Sequence, residues 1–186
     1  MTERAYFDEL YASSPDPWDL AARAYELRKY DLTVASLPRA RYRRAFEPGC
    51  SVGLLTRLLV ERCDEVVASD LVAAPLVLAA ERAPAATFRR GGVPDDWPPG
   101  RLDLVVLSEL LYYLSAADRA ATIERARESL DPGGHLVAVH WRHPFVEAAC
   151  DGDTAHAEIR RDPTWRVLVE HVEPDFRLEV LERGAD

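Results

Sequence analysis

The chain has 186 residues, 32 acidic against 23 basic, and a formal net charge of −9. That length fits a single domain, 1–186, with a core large enough to need no disulfide staple. The acidic balance argues against nucleic acid as a partner, since a phosphate backbone is held by clustered Lys and Arg, and the arginine groups at Arg39–Arg44 and Arg89–Arg90 read as solvated faces beside strand starts.

Three cysteines, Cys50, Cys63 and Cys150, form no C-x-x-C pair and no even disulfide framework, which suits a reducing compartment. The opening "MTERAYFDEL" carries acids where a signal peptide needs a basic and then an apolar region. No apolar run approaches the ~20 residues that span a bilayer. The expectation is a cytoplasmic protein without a membrane partner.

"SSPDPWDLAARAYELRKYDLTVASLP" comes first, with Pro17 near a helix start and Pro38 after its end. Tyr25, Leu32 and Val34 are its expected docking face, and "ELRK" its solvated stripe. From residue 44 onward short apolar runs alternate with helical stretches, the pattern of a parallel sheet covered by helices. "RRAFE" is the first strand, and the next helix places Leu54, Leu55, Leu58 and Leu59 on one face. "EVVASD" is the second strand, ending at Asp70; "APLVLAAER" is a helix and "ATFRR" the third strand. Leu102 to Leu107 is apolar enough for a sheet centre buried on both faces. Ser115, with Asp118 three residues on, caps a helix that runs to about Leu130 and is stopped by "DPGG". "HLVAVHW" is the fifth strand, and "WRVLVEHV" and "FRLEVLER", parted by "EPD", form a closing antiparallel hairpin.

The stretch "FEPGCSVGLLTRLL" sets Gly49 and Gly53 between the first strand and its helix. Such a loop brings backbone N–H groups and a helix N-terminus toward a ligand at the carboxyl ends of the strands. Asp70 then ends the second strand, where a carboxylate can accept hydrogen bonds from both hydroxyls of a ribose. Two ligands compete on this reading: a dinucleotide or a phosphate-free adenosyl cofactor. The dinucleotide fingerprint needs G-x-G-x-x-G, whereas "EPGCSVG" is E-x-G-x-x-x-G with Glu47 in front.

That motif resembles the acid-x-G-x-G-x-G of class I S-adenosylmethionine-dependent methyltransferases, with Ser51 where the middle glycine usually stands. "ASDL" (Asp70, Leu71), "DLVVLSELLYYL" (with Ser108) and "LDPGGHLVAV" resemble that family's later motifs in order. More narrowly, "PDPWDL", "YELRKYDLTVASLP" and "SELLYYL" resemble the nodulation protein S family, from Phe7 to about Glu182.

The resemblance implies an α/β, Rossmann-like methyltransferase fold: a mostly parallel seven-stranded sheet with a C-terminal antiparallel hairpin. It implies an N-terminal helical lid, 1–40, on a core of 41–186. It implies S-adenosyl-L-methionine as cofactor and a small-molecule acceptor, foremost the nitrogen of an amino sugar. An O-methyltransferase of a sugar or secondary metabolite, and a catalytically silent cofactor-binding partner, are the alternatives. The cofactor residues implied are Trp18, Arg28, Glu47, Gly49, Ser51, Gly53, Asp70, Leu71, Val93 and Ser108. Trp18, with Tyr11, would give aromatic cover and Arg28 or Lys29 would meet the cofactor carboxylate. Gly92 stands where an adenine-binding acid is usual, which shifts that contact to the Val93 backbone.

Methyl transfer from a sulfonium needs positioning and a dry pocket, and an amine acceptor must attack as the neutral base. Glu109, at the end of the fourth strand, is the first candidate to take that proton. His140, ending the fifth strand, ranks next with His156 just behind it, and Tyr112 is a wall of the acceptor site. His140, His143, Cys150, Asp151 and His156 lack the paired spacing of zinc motifs, so no metal is expected.

Overall fold

The computed structural model describes residues 3–185, so Met1, Thr2 and Asp186, at the ends of the expected domain, lie outside the described residues. The strands form a seven-stranded sheet in the order β3-β2-β1-β4-β5-β7-β6. By its internal contacts the chain divides into two compact units, Met1–Gly92 and Val93–Asp186.

The first unit runs α1 (Glu3–Ser13), α2 (Ala24–Ala35), β1 (Tyr42–Pro48), α3 (Leu54–Val60), β2 (Cys63–Asp70), α4 (Ala74–Arg82) and β3 (Thr87–Arg90). β1, β2 and β3 are parallel, with Phe46 level with Val67 and Asp70 with Arg90. Phe46, Leu55, Leu59, Val66 and Val67 are buried in its core, each worth about 1.5–3 kcal/mol relative to exposure.

The second unit runs β4 (Leu102–Ser108), a 3-10 turn (Leu111–Tyr113), α5 (Ala116–Ser129), β5 (Leu130–Trp141), α6 (Gly152–Ile159), β6 (Trp165–Val172) and β7 (Phe176–Arg183). β4 and β5 are parallel; β7 runs antiparallel to both β5 and β6. This is the expected mostly parallel sheet with its closing hairpin. Ser115 caps α5 as its spacing predicts, accepting from the Asp118 N–H at 3.2 Å.

Four details depart from the sequence reading. No helix starts at Pro17: the Asp16 carboxylate accepts from the N–H groups of Leu20 and Ala21, both at 3.0 Å, and holds a turn until α2 begins at Ala24. The buried face of α2 is Glu26, Lys29, Tyr30 and Thr33, where Tyr25, Leu32 and Val34 were expected. Lys29 and Glu26 pair at 2.8 Å and bury each other, so "ELRK" is not a solvated stripe. β5 begins at Leu130 rather than His135, because "DPGG" continues as strand with Gly133 at φ +77°. Helix α6 has no counterpart in the sequence reading; Asp151 caps it, accepting from Thr154 N–H at 2.6 Å, and the Arg119–Glu158 pair, 2.8 Å, ties it to α5. No helix among the described residues is long and apolar enough to cross a membrane.

Candidate active site

The candidate residues outside the N-terminal segment lie at or just beyond strand ends, where open α/β sheets hold their ligands. After β1 the chain turns through three left-handed residues, Gly49 (φ +73°), Ser51 (φ +48°) and Gly53 (φ +77°). Gly53 is required twice over. Its φ is costly for any side chain, and a Cβ there would lie 2.7 Å from the Ala79 Cα of α4. Gly53 therefore serves helix packing, while Gly49 and Ser51 shape the loop.

Asp70 fastens that loop. One carboxylate oxygen accepts from the Ser51 N–H at 2.9 Å and the other from the Val72 N–H at 3.0 Å. Its side chain is 8% exposed; burial raises its pKa, and the two amides oppose the rise. Glu47 lies beneath the loop and accepts from the Thr56 hydroxyl at 2.6 Å. Burial pushes its carboxyl up to about 8, so near neutral pH it holds a proton much of the time.

The lid candidates meet the same loop. The hydroxyls of Tyr11, on α1, and Ser51 are 2.7 Å apart. Burial, and next the Asp70 carboxylate, raise the Tyr11 phenol. The half-buried Trp18 packs edge-on to Tyr11 with centroids 5.7 Å apart and lies 6.3 Å from Phe7. Arg28 is exposed on α2, and Lys29 points inward to Glu26. Leu71 is half-buried against Gly92, where a Cβ would come within 3.0 Å of Leu71 Cδ1. That crowding fits the glycine found in place of an acid.

In the second unit, Val93 and Ser108 are half-buried. Glu109 follows Ser108 with φ +52°, a left-handed conformation that costs a side-chain-bearing residue about 1–2 kcal/mol. Its N–H donates to Val139 O at 2.8 Å. One oxygen of its carboxylate, Oε2, accepts from the Tyr112 hydroxyl and from the Trp141 N–H, the latter at 2.9 Å. The structure thus brings Glu109 and Tyr112 together. Tyr112 is buried, and its ring meets His140 at 5.3 Å and Phe145 at 5.0 Å. His140 is fully buried: Nε2 accepts from the Leu111 N–H at 3.1 Å and Nδ1 is 3.1 Å from His156 Nε2.

Trp141 was not among the expected site residues, Tyr11 entered only as cover for the lid, and His156 entered only as a proton acceptor behind Glu109 and His140. A serine at a glycine position was the one signal available for Tyr11, since a hydroxyl there invites a partner. Nothing local marks a backbone N–H, so Trp141 had no signal.

The family described as "Methyltransferase domain" matches residues 45–134, from β1 to the start of β5. A solved presumptive methyltransferase from Pseudomonas syringae is 41% identical, covering 87% of this chain and 100% of its own, with a TM-score of 0.76. Nodulation protein S of Rhizobium tropici is 28% identical over 130 residues, 67% of this chain. The match spans only about half, 55%, of that relative's length. The N-methyltransferase NodS of Bradyrhizobium japonicum WM9, solved with S-adenosyl-L-homocysteine, is 20% identical, with each chain covering 100% of the other and a TM-score of 0.88. From the ordered motifs, the sheet they build and this kinship, the chain belongs to the methyltransferase family.

Proposed function

We propose that the protein methylates the nitrogen of a small amine-bearing acceptor, an amino sugar before any other, with Glu109 receiving the amine's proton. The observation that carries this reading is Glu109 itself: a strained backbone at a strand end, with a carboxylate oriented by two donors. Such strain gathers where a side chain must be aimed. The NodS structure, an N-methyltransferase by name, supports nitrogen, and the resemblance to nodulation protein S supports the amino sugar.

S-adenosylmethionine, when bound, supplies a methyl group on a positively charged sulfur, open to in-line attack. Gly49 and Ser51 would let the backbone come close to it, Asp70 would accept from its ribose hydroxyls, and Leu71, Val93 and Ser108 would line the adenosine. Tyr11 and Trp18 cover the loop from the N-terminal lid. Arg28, exposed on α2, would reach the carboxylate tail of the cofactor. Glu109 binds the acceptor amine, takes its proton and so presents a free lone pair. Tyr112 and Trp141 hold the carboxylate in one rotation, which limits the entropy lost as the acceptor docks.

The test is a screen of amino-sugar and neutral-sugar acceptors with isotopically labelled S-adenosylmethionine, reading product mass. A labelled N-methyl product supports the reading, and methylation confined to hydroxyls overturns it.

A further inference from the structure

His140 and His156 are both fully buried, and the groups at the two ends of the pair fix where their protons sit. At one end the Leu111 amide donates to His140 Nε2 at 3.1 Å. An amide N–H is a donor only, so Nε2 is bare and neutral His140 carries its proton on Nδ1. That nitrogen lies 3.1 Å from His156 Nε2, which must accept. The His156 proton then sits on Nδ1, 2.9 Å from Glu179 Oε2, though off the line of the N–H.

Glu179 is an acceptor at the other end. Its carboxylate is buried on β7 between Arg160 and Arg177, the latter donating at 2.8 Å. Burial alone would raise its pKa; hydrogen bonds from His156 and the two arginines outweigh that and hold it below the usual carboxylate range, so it stays an anion. A second proton on either imidazole would set a ring N–H against another donor. The line therefore runs one way, from amide to carboxylate, through two neutral rings.

The fold makes room for this line. Gly152 opens α6 so close to β5 that a Cβ would stand 3.0 Å from His140 Cβ and 2.4 Å from Trp141 O. One turn later along α6, His156 meets His140. The line ends on the 3-10 turn, whose Tyr112 rests its ring against His140 at 5.3 Å and donates to Glu109.

We propose that the Leu111 amide, His140 and His156 form a directional hydrogen-bond line, oriented at its far end by the Glu179 carboxylate, that sets the 3-10 turn, and with it the Tyr112 hydroxyl on Glu109. His140 and His156 are then positioning residues and not proton carriers in the reaction. The assignment rests on Glu109 acting on the acceptor amine.

The test begins with the full-length, ¹⁵N-labelled protein and long-range proton–nitrogen spectra of its imidazoles at neutral pH. Both rings should show a protonated Nδ1 and a bare Nε2. A protonated Nε2 on His140, or a charged ring, overturns the line whatever Glu109 does. His140→Gln and His140→Asn follow, because the glutamine oxygen reaches the Nε2 position and still accepts from Leu111, whereas asparagine falls short. With glucosamine as acceptor, H140N should lose kcat by about tenfold or more, on the scale of a small misplacement, with S-adenosylhomocysteine affinity kept. H140Q should restore most of that loss together with hydrogen-exchange protection of the Leu111 amide. Equal kcat and equal protection in the two variants overturn the proposal. Should Glu109→Gln alone prove silent, while the tautomers and the Leu111 contrast hold, the reading of Glu109 fails and the line stands.

Discussion

The Tyr11 hydroxyl lies 2.7 Å from that of Ser51, a contact across 40 residues that fastens α1 to the left-handed tip of the loop after β1. The residue that departs from the family's glycine pattern is thus the one that α1 holds. Tyr11→Phe and Ser51→Ala should each weaken S-adenosylhomocysteine binding, and the double variant should be little worse than either. Calorimetry on the cycle should give a coupling of about 0.5–1.5 kcal/mol, the net worth of one hydrogen bond. Fully additive losses would mean that the contact does not serve the cofactor.

Asp70 holds two loop amides and is the residue proposed to take the ribose hydroxyls. Asp70→Ala should cost about 2–4 kcal/mol of cofactor affinity, from lost charge-assisted bonds and a loosened loop. An unchanged dissociation constant would remove Asp70 from the cofactor site.

Glu47 predicts how stability varies with pH. Its carboxyl is raised to about 8 in the fold, so the folded state keeps a proton that the unfolded chain releases near 4.5. The associated stability is complete below about 4.5 and drains away as pH rises through 8, by an order of a few kcal/mol. Denaturant midpoints at pH 5 and pH 9 should fall less in Glu47→Gln than in the wild type. Parallel falls in the two proteins would contradict the buried, protonated state.

Gly53 predicts a packing failure. Gly53→Ala places a Cβ 2.7 Å from the Ala79 Cα and 2.8 Å from its Cβ. Together with the positive φ, this should destabilise the fold by about 2–4 kcal/mol, read as a lowered Tm. Ala79→Gly in the same chain should recover only part of the loss, since the nearer atom belongs to the backbone. Full recovery would place the strain in the side chain alone.

Glu109→Gln should lower kcat by about 10²-fold while cofactor affinity holds, because the amide keeps shape and loses basicity. Raising pH should partly rescue it, as free amine forms without help. A rate that is low and flat in pH would point instead to a lost contact with the acceptor.

Elements built on apolar runs could be read directly. β1, β2 and β4 lie within two residues of expectation at each end, and the hairpin strands at 165–172 and 176–183 coincide. What escaped was held by polar partners distant in sequence. In "GDTAHAEI" the inward residues include His156, whose partners are His140, 16 residues back, and Glu179, so no apolar stripe announces α6. On α2 the Glu26–Lys29 pair is buried by mutual neutralisation, which shifts the inward face away from its most hydrophobic residues. The glycine loop and Asp70 were legible because the loop's backbone demands particular residues. The surroundings of Glu109 were not, since their meaning lies in a backbone angle and a neighbouring strand's amide.

That backbone angle restricts which residues a saturation library could return at position 109. A β-branched side chain is all but barred at φ +52°. Glycine relieves the backbone and discards the carboxylate. Aspartate and asparagine tolerate the angle best among side chains with an oxygen, but each ends one methylene short of reaching both the Tyr112 hydroxyl and the Trp141 amide. Selection for stability at this position therefore draws toward glycine and asparagine, and selection for turnover toward glutamate, so a library sorted both ways should return two sets that do not overlap.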